Sequence, residues 1–279
     1  YIHLTEKNGG IVNDPVLLKL AENHFWLSIA DSDVLLWCLG IASSNKFDVN
    51  LSEPDASPLS LQGPKATDVM VKVSGDWVKN LKFFYFKEGL IQNIPVIIAR
   101  SGWSGMSGYE IYLLDGTKGN ILWKIFMDSG QEFKIAPAAP SQINRIECGM
   151  LSYGSDITLN ENPFDISMDK FVNLDKEAEF LSRDSLTLIK KQGNTKELVG
   201  VEIMGKTSDE FISDHLPVYD NNKIVGKITS SVYSPRLKKN IGLALLDRNR
   251  DLNSTNLYLV YNNRSIEIKI SKLPFIRSK

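Results

Sequence analysis

Residues 99–114 read A-R-S-G-W-S-G-M-S-G-Y-E-I-Y-L-L and gather a carboxylate, Glu110, with two aromatics, Trp103 and Tyr112, on one short stretch. A carboxylate can accept two parallel N–H bonds, the pattern that a guanidine-like edge such as a 2-aminopyrimidinone presents. Aromatic faces beside it can hold an apolar group or a cation, each cation contact being worth about 0.5–2 kcal/mol. The set suits a planar, hydrogen-bonding heterocycle next to a cationic or apolar group. The plainer alternative is an ordinary hairpin with a half-buried strand. Asp14 closes the run N-G-G-I-V-N-D and is either a hydrogen-bonding carboxylate of a small-molecule site or a local turn cap. Trp26 and Ser28 stand two apart in an extended run and therefore share a face.

Spacing and charge exclude other chemistries. Gly102, Gly105 and Gly108 form G-x-x-G-x-x-G, which is neither the dinucleotide fingerprint nor a P-loop. His3, His24 and His215 are far apart with no partner at metal spacing, so no metal is expected. Asp214-His215 lacks the G-x-S-x-G elbow that would complete a hydrolase. With 32 basic against 33 acidic residues, a net charge of −1 offers no electrostatic case for nucleic acid or an anionic membrane. No apolar run approaches the roughly 20 residues of a membrane helix. Cys38 and Cys148 have no C-x-x-C spacing and are expected as reduced, buried thiols. In the absence of a secretion signal, the sequons at Asn253 and Asn263 count as chance and the expected location is cytoplasmic.

The elements that position these residues follow from periodicity. Residues 94–99 and 109–114 are the arms of a hairpin, with Ile111 and Leu113 on one face and Glu110, Tyr112 and Leu114 on the other. Before it, residues 59–62 read as a strand and Gly63-Pro64 opens a helix that ends at Ser74-Gly75. Residues 81–86 (L-K-F-F-Y-F) read as a strand too aromatic to be exposed on both faces, and 118–129 as an amphipathic helix. Upstream, residues 16–29 form a hairpin, and Asp31 or Ser32 caps a helix carrying Val34, Leu35, Trp37, Cys38 and Ile41. Downstream, helices are expected over 142–151 and 180–192. Six short strands then follow from residue 196, with Asn221-Asn222 and Asn262-Asn263 in turn positions, which points to a small β-barrel. The chain opens at Tyr1, inside what reads as an element, so a fragment or processed product is expected. The fold class is α+β.

Laid end to end, the landmarks resemble the glycine-cleavage T-protein family of folate-dependent aminomethyl- and methyltransferases. The matching stretches are N-G-G-I-V-N-D (8–14), L-Q-G-P-K-A (61–66), R-S-G-W-S-G with G-Y-E-I-Y (100–112), R-I-E-C-G-M-L-S-Y-G-S-D (145–156), F-L-S-R-D-S-L (180–186), G-K-I-T-S-S-V-Y-S-P-R-L-K-K-N-I (226–241) and S-K-L-P-F (271–275). Within the family, N-G-G-I-V-N-D-P-V-L, W-L-S-I-A-D-S-D and L-K-F-F are most similar to the dimethylsulfoniopropionate demethylases, and Asn13, where aminomethyltransferases have an aspartate, is shared with them.

The resemblance implies a three-domain cloverleaf of the T-protein type. Residues 1–52 and 140–185 would belong to the first folate-binding domain, 53–139 would be the second, and 190–279 the C-terminal β-barrel. It implies an enzyme that moves a methyl group from a sulfonium donor to N5 of tetrahydrofolate, the methyl acceptor. An aminomethyltransferase and a non-catalytic folate-binding relative are the alternatives. Glu110 would bind the pterin edge, Asp14 would act near the reactive end of the folate, and Tyr1 would touch the folate. Trp103, Tyr112, Ser28 and Trp77 would line the donor pocket. The expected partners are the small methylated substrate and, as one option, a second copy of the chain.

Overall fold

The structure is a computed structural model that describes residues 1–29, 32–205, 215–250 and 256–277. Asp31 as a helix cap, Asp214 of the Asp-His pair and the sequon at Asn253 lie outside the described residues. The chain runs through β1 (Leu4–Thr5), β2 (Ile11–Asn13), β3 (Val16–Ala21), β4 (His24–Ser28), α1 (Val34–Asn45), β5 (Ser57–Gln62), α2 (Ala66–Ser74), β6 (Phe86–Ile91), β7 (Ile94–Ala99), β8 (Gly108–Leu113), α3 (Gly119–Gly130), α4 (Gln142–Glu147) and α5 (Arg183–Gln192). It closes with β9 (Lys196–Ile203), β10 (Pro217–Asp220), β11 (Lys223–Ser234), β12 (Lys239–Asp247), β13 (Leu257–Tyr261) and β14 (Arg264–Ser271). Two compact units result, one of Tyr1–Val34 with Gln142–Arg277, the other of Leu35–Ser141. Among the described residues no helix is long and apolar enough to cross a membrane.

In the Leu35–Ser141 unit, four antiparallel strands lie in the order β5-β8-β7-β6. Period-2 alternation sorts the residues of β8 between two faces. Tyr109, Ile111 and Leu113 join Ala66, Val69 and Met70 of α2 and Leu122, Ile125 and Phe126 of α3 in one core. Glu110 and Tyr112 are turned the other way, and Tyr112 pairs with Ile97 of β7. Each fully buried aliphatic side chain of such a core contributes about 1.5–3 kcal/mol.

The other unit contains a closed six-strand barrel, β10-β11-β12-β9-β14-β13. Closure leaves no strand edge in the barrel unpaired. Asn221, Asn222, Asn262 and Asn263 all have positive φ, the left-handed backbone that asparagine tolerates in two-residue hairpin turns. On the outer face of the barrel wall, Ile241 and Leu243 of β12 pack with Ile11 of β2 and Ile146 of α4. The N-terminal turn is therefore seated on barrel residues.

Three expected elements differ. Residues 81–85 are not strand: Phe84 turns at φ +61, its N–H donates to Arg100 O at 2.9 Å, and Arg100 Nη1 donates to Leu81 O at 2.8 Å. This arm folds around Arg100 and leaves Phe83, Phe84 and Tyr85 exposed, so its aromatic content does not mark a buried strand. The helix over 142–151 stops at Glu147, because Gly149 at φ +66 and the bond from Met150 N–H to Arg145 O close it. The helix over 180–192 begins only at Arg183. Ser32, expected as a cap, instead accepts a hydrogen bond from Asn13 Nδ2 at 2.8 Å.

Candidate functional site

The Asp14 group belongs to the unit that contains the barrel. β1 and β2 pair through Thr5↔Ile11 and Leu4↔Asn13, with Gly9 at φ +96 in the turn between them. A side chain at Gly10 would stand 2.2 Å from Leu159 O, which is why the second position of the Gly-Gly pair is also bare. Asn13 is fully buried, and its Oδ1 accepts the Asp14 N–H at 3.0 Å. With its amide also bound to Ser32, Asn13 fixes the backbone that presents Asp14. Tyr1 Oη donates to Asp14 Oδ2 at 2.7 Å. The Tyr1 ring is held edge-on by His3 at 5.2 Å and Phe171 at 5.1 Å between centroids.

Burial governs the protonation of this group. It pushes the Asp14 carboxyl above the usual carboxylate range, with the Tyr1 hydrogen bond opposing. Burial likewise pushes the Tyr1 phenol up, helped by the charge of Asp14. Tyr153 is raised by burial and then by Asp14. Burial lowers His3 to about 4, and neither of its ring nitrogens has a hydrogen-bond partner among the described residues. The arrangement is a carboxyl that takes up a proton readily, with a phenol bound to one oxygen and no protein partner on the other among the described residues. Ser28 and Trp26 lie on β4 opposite Val16 and Leu18, and all four share one face of that hairpin.

The Glu110 group belongs to the Leu35–Ser141 unit. Glu110 is half-buried on the face of β8 away from the helices. Its Oε2 accepts the hydroxyl of Ser101, which is itself buried, and its Oε1 has no protein partner among the described residues. An anchored carboxylate with one open oxygen fits the N–H edge of a heterocycle. Tyr112 shares this face, and Trp103 sits in the turn between β7 and β8. Trp77 does not share it. Its indole packs against the core on the helix side, its N–H donates to Ser74 O at 2.7 Å, and Lys87 Nζ covers its ring at 4.8 Å.

Ser101, and Gln62 whose amide bonds Ser101 O and Ser104 Oγ, support the candidate residues without standing out by type in the sequence, whereas only the resemblance marks Asn13. A signal for Gln62 did exist in the spacing: two glycines facing a paired strand leave room for one of its side chains.

The fold of this two-unit α+β chain matches that of aminomethyltransferase T of the glycine cleavage system from Bartonella henselae. That structure matches at a TM-score of 0.85 with 22% identity, over 99% of this chain and 75% of the other. Family models match as well: the GCVT N-terminal domain over residues 1–176 and the glycine cleavage T-protein C-terminal barrel domain over 196–276. The chain belongs to the glycine cleavage T-protein family. Among its relatives, the dimethylsulfoniopropionate demethylase DmdA of Ruegeria pomeroyi is 36% identical over 248 residues, 89% of this chain and 67% of the relative. An aminomethyltransferase of Caldanaerobacter subterraneus subsp. tengcongensis is 28% identical over 277 residues, 97% of this chain and 72% of the relative. One of Bacillus mycoides is 30% identical over 285 residues, 99% and 76% respectively.

Proposed function

We propose that this chain is a tetrahydrofolate-dependent enzyme that moves a methyl group from a sulfonium donor of the dimethylsulfoniopropionate kind to N5 of tetrahydrofolate. The observation that carries this reading is the 36% identity to a dimethylsulfoniopropionate demethylase, against 28–30% for the aminomethyltransferases. Asn13, buried and holding Asp14, is one position at which the sequence departs from the aminomethyltransferase pattern.

Bound tetrahydrofolate would supply N5, the secondary amine that takes the methyl group. The donor's positive charge already makes sulfur a good leaving group, so no general acid is required and a neutral sulfide departs. The chain's own work is alignment, which can supply about 7–11 kcal/mol of a barrier. Glu110, steadied by Ser101, accepts the N–H edge of the pterin on its open oxygen. Asp14 hydrogen-bonds near the reacting nitrogen, and its raised carboxyl pKa suits it to hold the proton released there. Trp103 and Tyr112 serve the donor, their aromatic faces attracting its charge.

Mass spectrometry for 5-methyltetrahydrofolate after mixing protein, tetrahydrofolate and dimethylsulfoniopropionate tests the reading. Product supports it. Folate binding without product, together with turnover of an aminomethyl-lipoyl carrier donor, would replace it with the aminomethyltransferase reading, which the coverage of nearly the whole chain by those relatives favours. Folate binding with neither reaction would leave a non-catalytic folate protein.

A further inference from the structure

Gly102 and Gly108 are explained by a neighbour. A side chain at Gly108 would stand 2.2 Å from Gln62 Oε1, and one at Gly102 would stand 2.2 Å from Gln62 Nε2. The amide of Gln62 is thus sandwiched between two backbone positions of the β7–β8 turn that carry no Cβ. It is also hydrogen-bonded on both ends. Ser104 Oγ donates to Gln62 Oε1 at 2.7 Å, while Gln62 Nε2 donates to Ser101 O and to Ser60 Oγ, each at 3.2 Å. Ser101 in turn gives its hydroxyl to Glu110. Cross-strand pairing puts Gln62 opposite Gly108 and Ser60 opposite Glu110, so β5 supports this turn along its length.

The geometry assigns Gln62 as the positioning residue of this turn: its amide clamps Ser101 and Ser104, and through them sets the carboxylate of Glu110 and the segment that carries Trp103. One clamp serves two groups. Pinning the Ser101 carbonyl fixes the residue whose hydroxyl anchors one oxygen of Glu110. Pinning Ser104 fixes the residue next to Trp103. Two glycines at these positions are what a clamp needs, because any side chain there would expel the amide. A merely structural glutamine would stabilise the hairpin without being coupled to ligand affinity. This inference rests on the reading of Glu110 as a folate-binding carboxylate, and its test separates the two.

The test is a double-mutant cycle of Gln62→Ala and Gly108→Ala, with Gln62→Met as a near-isosteric control. Two readouts are followed, together with thermal melting. The first needs no folate: the 19F resonance of Trp103 in 5-fluorotryptophan-labelled protein, assigned with Trp103→Phe. The second is the tetrahydrofolate dissociation constant. In the wild-type background, Gly108→Ala should shift or broaden the Trp103 resonance and raise the dissociation constant about tenfold, as a misaligned binding group does. In the Gln62→Ala background it should add little, because the obstructing amide is gone. Gln62→Met should match Gln62→Ala in affinity while melting close to wild type. Equal effects of Gly108→Ala in both backgrounds would overturn the assignment, as would a Gln62→Met protein with an unchanged resonance and wild-type affinity. If the unsubstituted protein binds no tetrahydrofolate, the folate reading falls, and the 19F cycle alone decides whether Gln62 positions the turn.

Discussion

Glu110 and Asp14 are both carboxyl groups, and their surroundings give them different tasks. Glu110 has one oxygen tied to Ser101 and one open, an acceptor with a fixed direction. Glu110→Gln keeps the shape and the Ser101 contact but removes the charge, so tetrahydrofolate affinity should fall by about ten- to a hundredfold. Isothermal titration measures it, and an unchanged dissociation constant would remove Glu110 from the site. Asp14 is half-buried too, but here desolvation raises the carboxyl. A carboxyl raised in the folded state binds its proton more tightly there than in the unfolded chain. Stability is then highest at low pH and is lost as pH rises from the usual carboxylate value through the raised one. Asp14→Asn should remove that loss. The variant should melt above the unsubstituted protein at pH 7–8 and lose the advantage near pH 4, while losing activity. Each kcal/mol of relief is about 2–4 °C in a chain of this size, which a melting series across pH resolves. A melting point lower than wild type at pH 8 would show that the bond from Tyr1 outweighs the burial cost.

At the scale of elements, the short helix α4 is tied to strand β11 by charge. Arg145 and Asp156 are almost wholly buried and lie 2.8 Å apart. Asp156 also accepts from Thr229 at 2.6 Å and from Ser230 and Ser152 N, at 2.7 and 2.9 Å. Arg145 Nη2 donates to Ser230 Oγ at 2.7 Å. Removing one partner strands the other charge, so Arg145→Leu should cost about 3–5 kcal/mol in urea unfolding. The double variant Arg145→Leu with Asp156→Leu should recover part of it, since two apolar residues need no counter-charge. A double variant as unstable as the sum of the singles would mean that the ion pair carries no coupling. None of this was legible in sequence. Helical spacing over 142–151 marks Ile143, Ile146 and Met150 as the buried stripe and leaves Arg145 and Glu147 between them. Their partners, Asp156, Ser230, Ser234 and Arg236, come from separate segments. The β-hairpins were legible because both signals are local: alternation in each arm and asparagine pairs at the turns. Residues 81–85 misled for the opposite reason. Their aromatics look like a strand, but the backbone is decided by Arg100, which holds Leu81 and Phe84 from nineteen and sixteen residues away by chain position.

At the scale of the whole molecule, the order of family landmarks along the chain was legible, and so was the closed barrel. The seat of the Asp14 turn was not. Ile11 in β2 packs with Ile241 and Leu243, which belong to the barrel wall. No periodic signal links residues so far apart. Leu243→Ala should cost about 2–5 kcal/mol through the cavity it leaves. Because the cavity opens beneath β2, the loss should also reach the turn beyond it. Hydrogen exchange at the amides of Asn13 and Asp14 should quicken more in this variant than in Leu259→Ala, whose side chain lies in the barrel interior cluster. Equal protection in both variants would mean that the turn stands without help from the wall.

The same contact sets an order of events during synthesis. The turn that presents Asp14 leaves the ribosome long before β12, but its apolar support is completed only with that strand. Until then Ile11 has no Ile241 or Leu243 to cover it, and the barrel that contains them cannot close before β14 arrives to pair with β9. Contacts of such long sequence separation form slowly. The carboxyl assigned to the chemistry is therefore encoded well before the strand that completes its support. A ribosome stalled before β12 would carry the residues of the Asp14 turn without their full support, and a nascent chain needs shielding for that apolar strand until β12 has emerged.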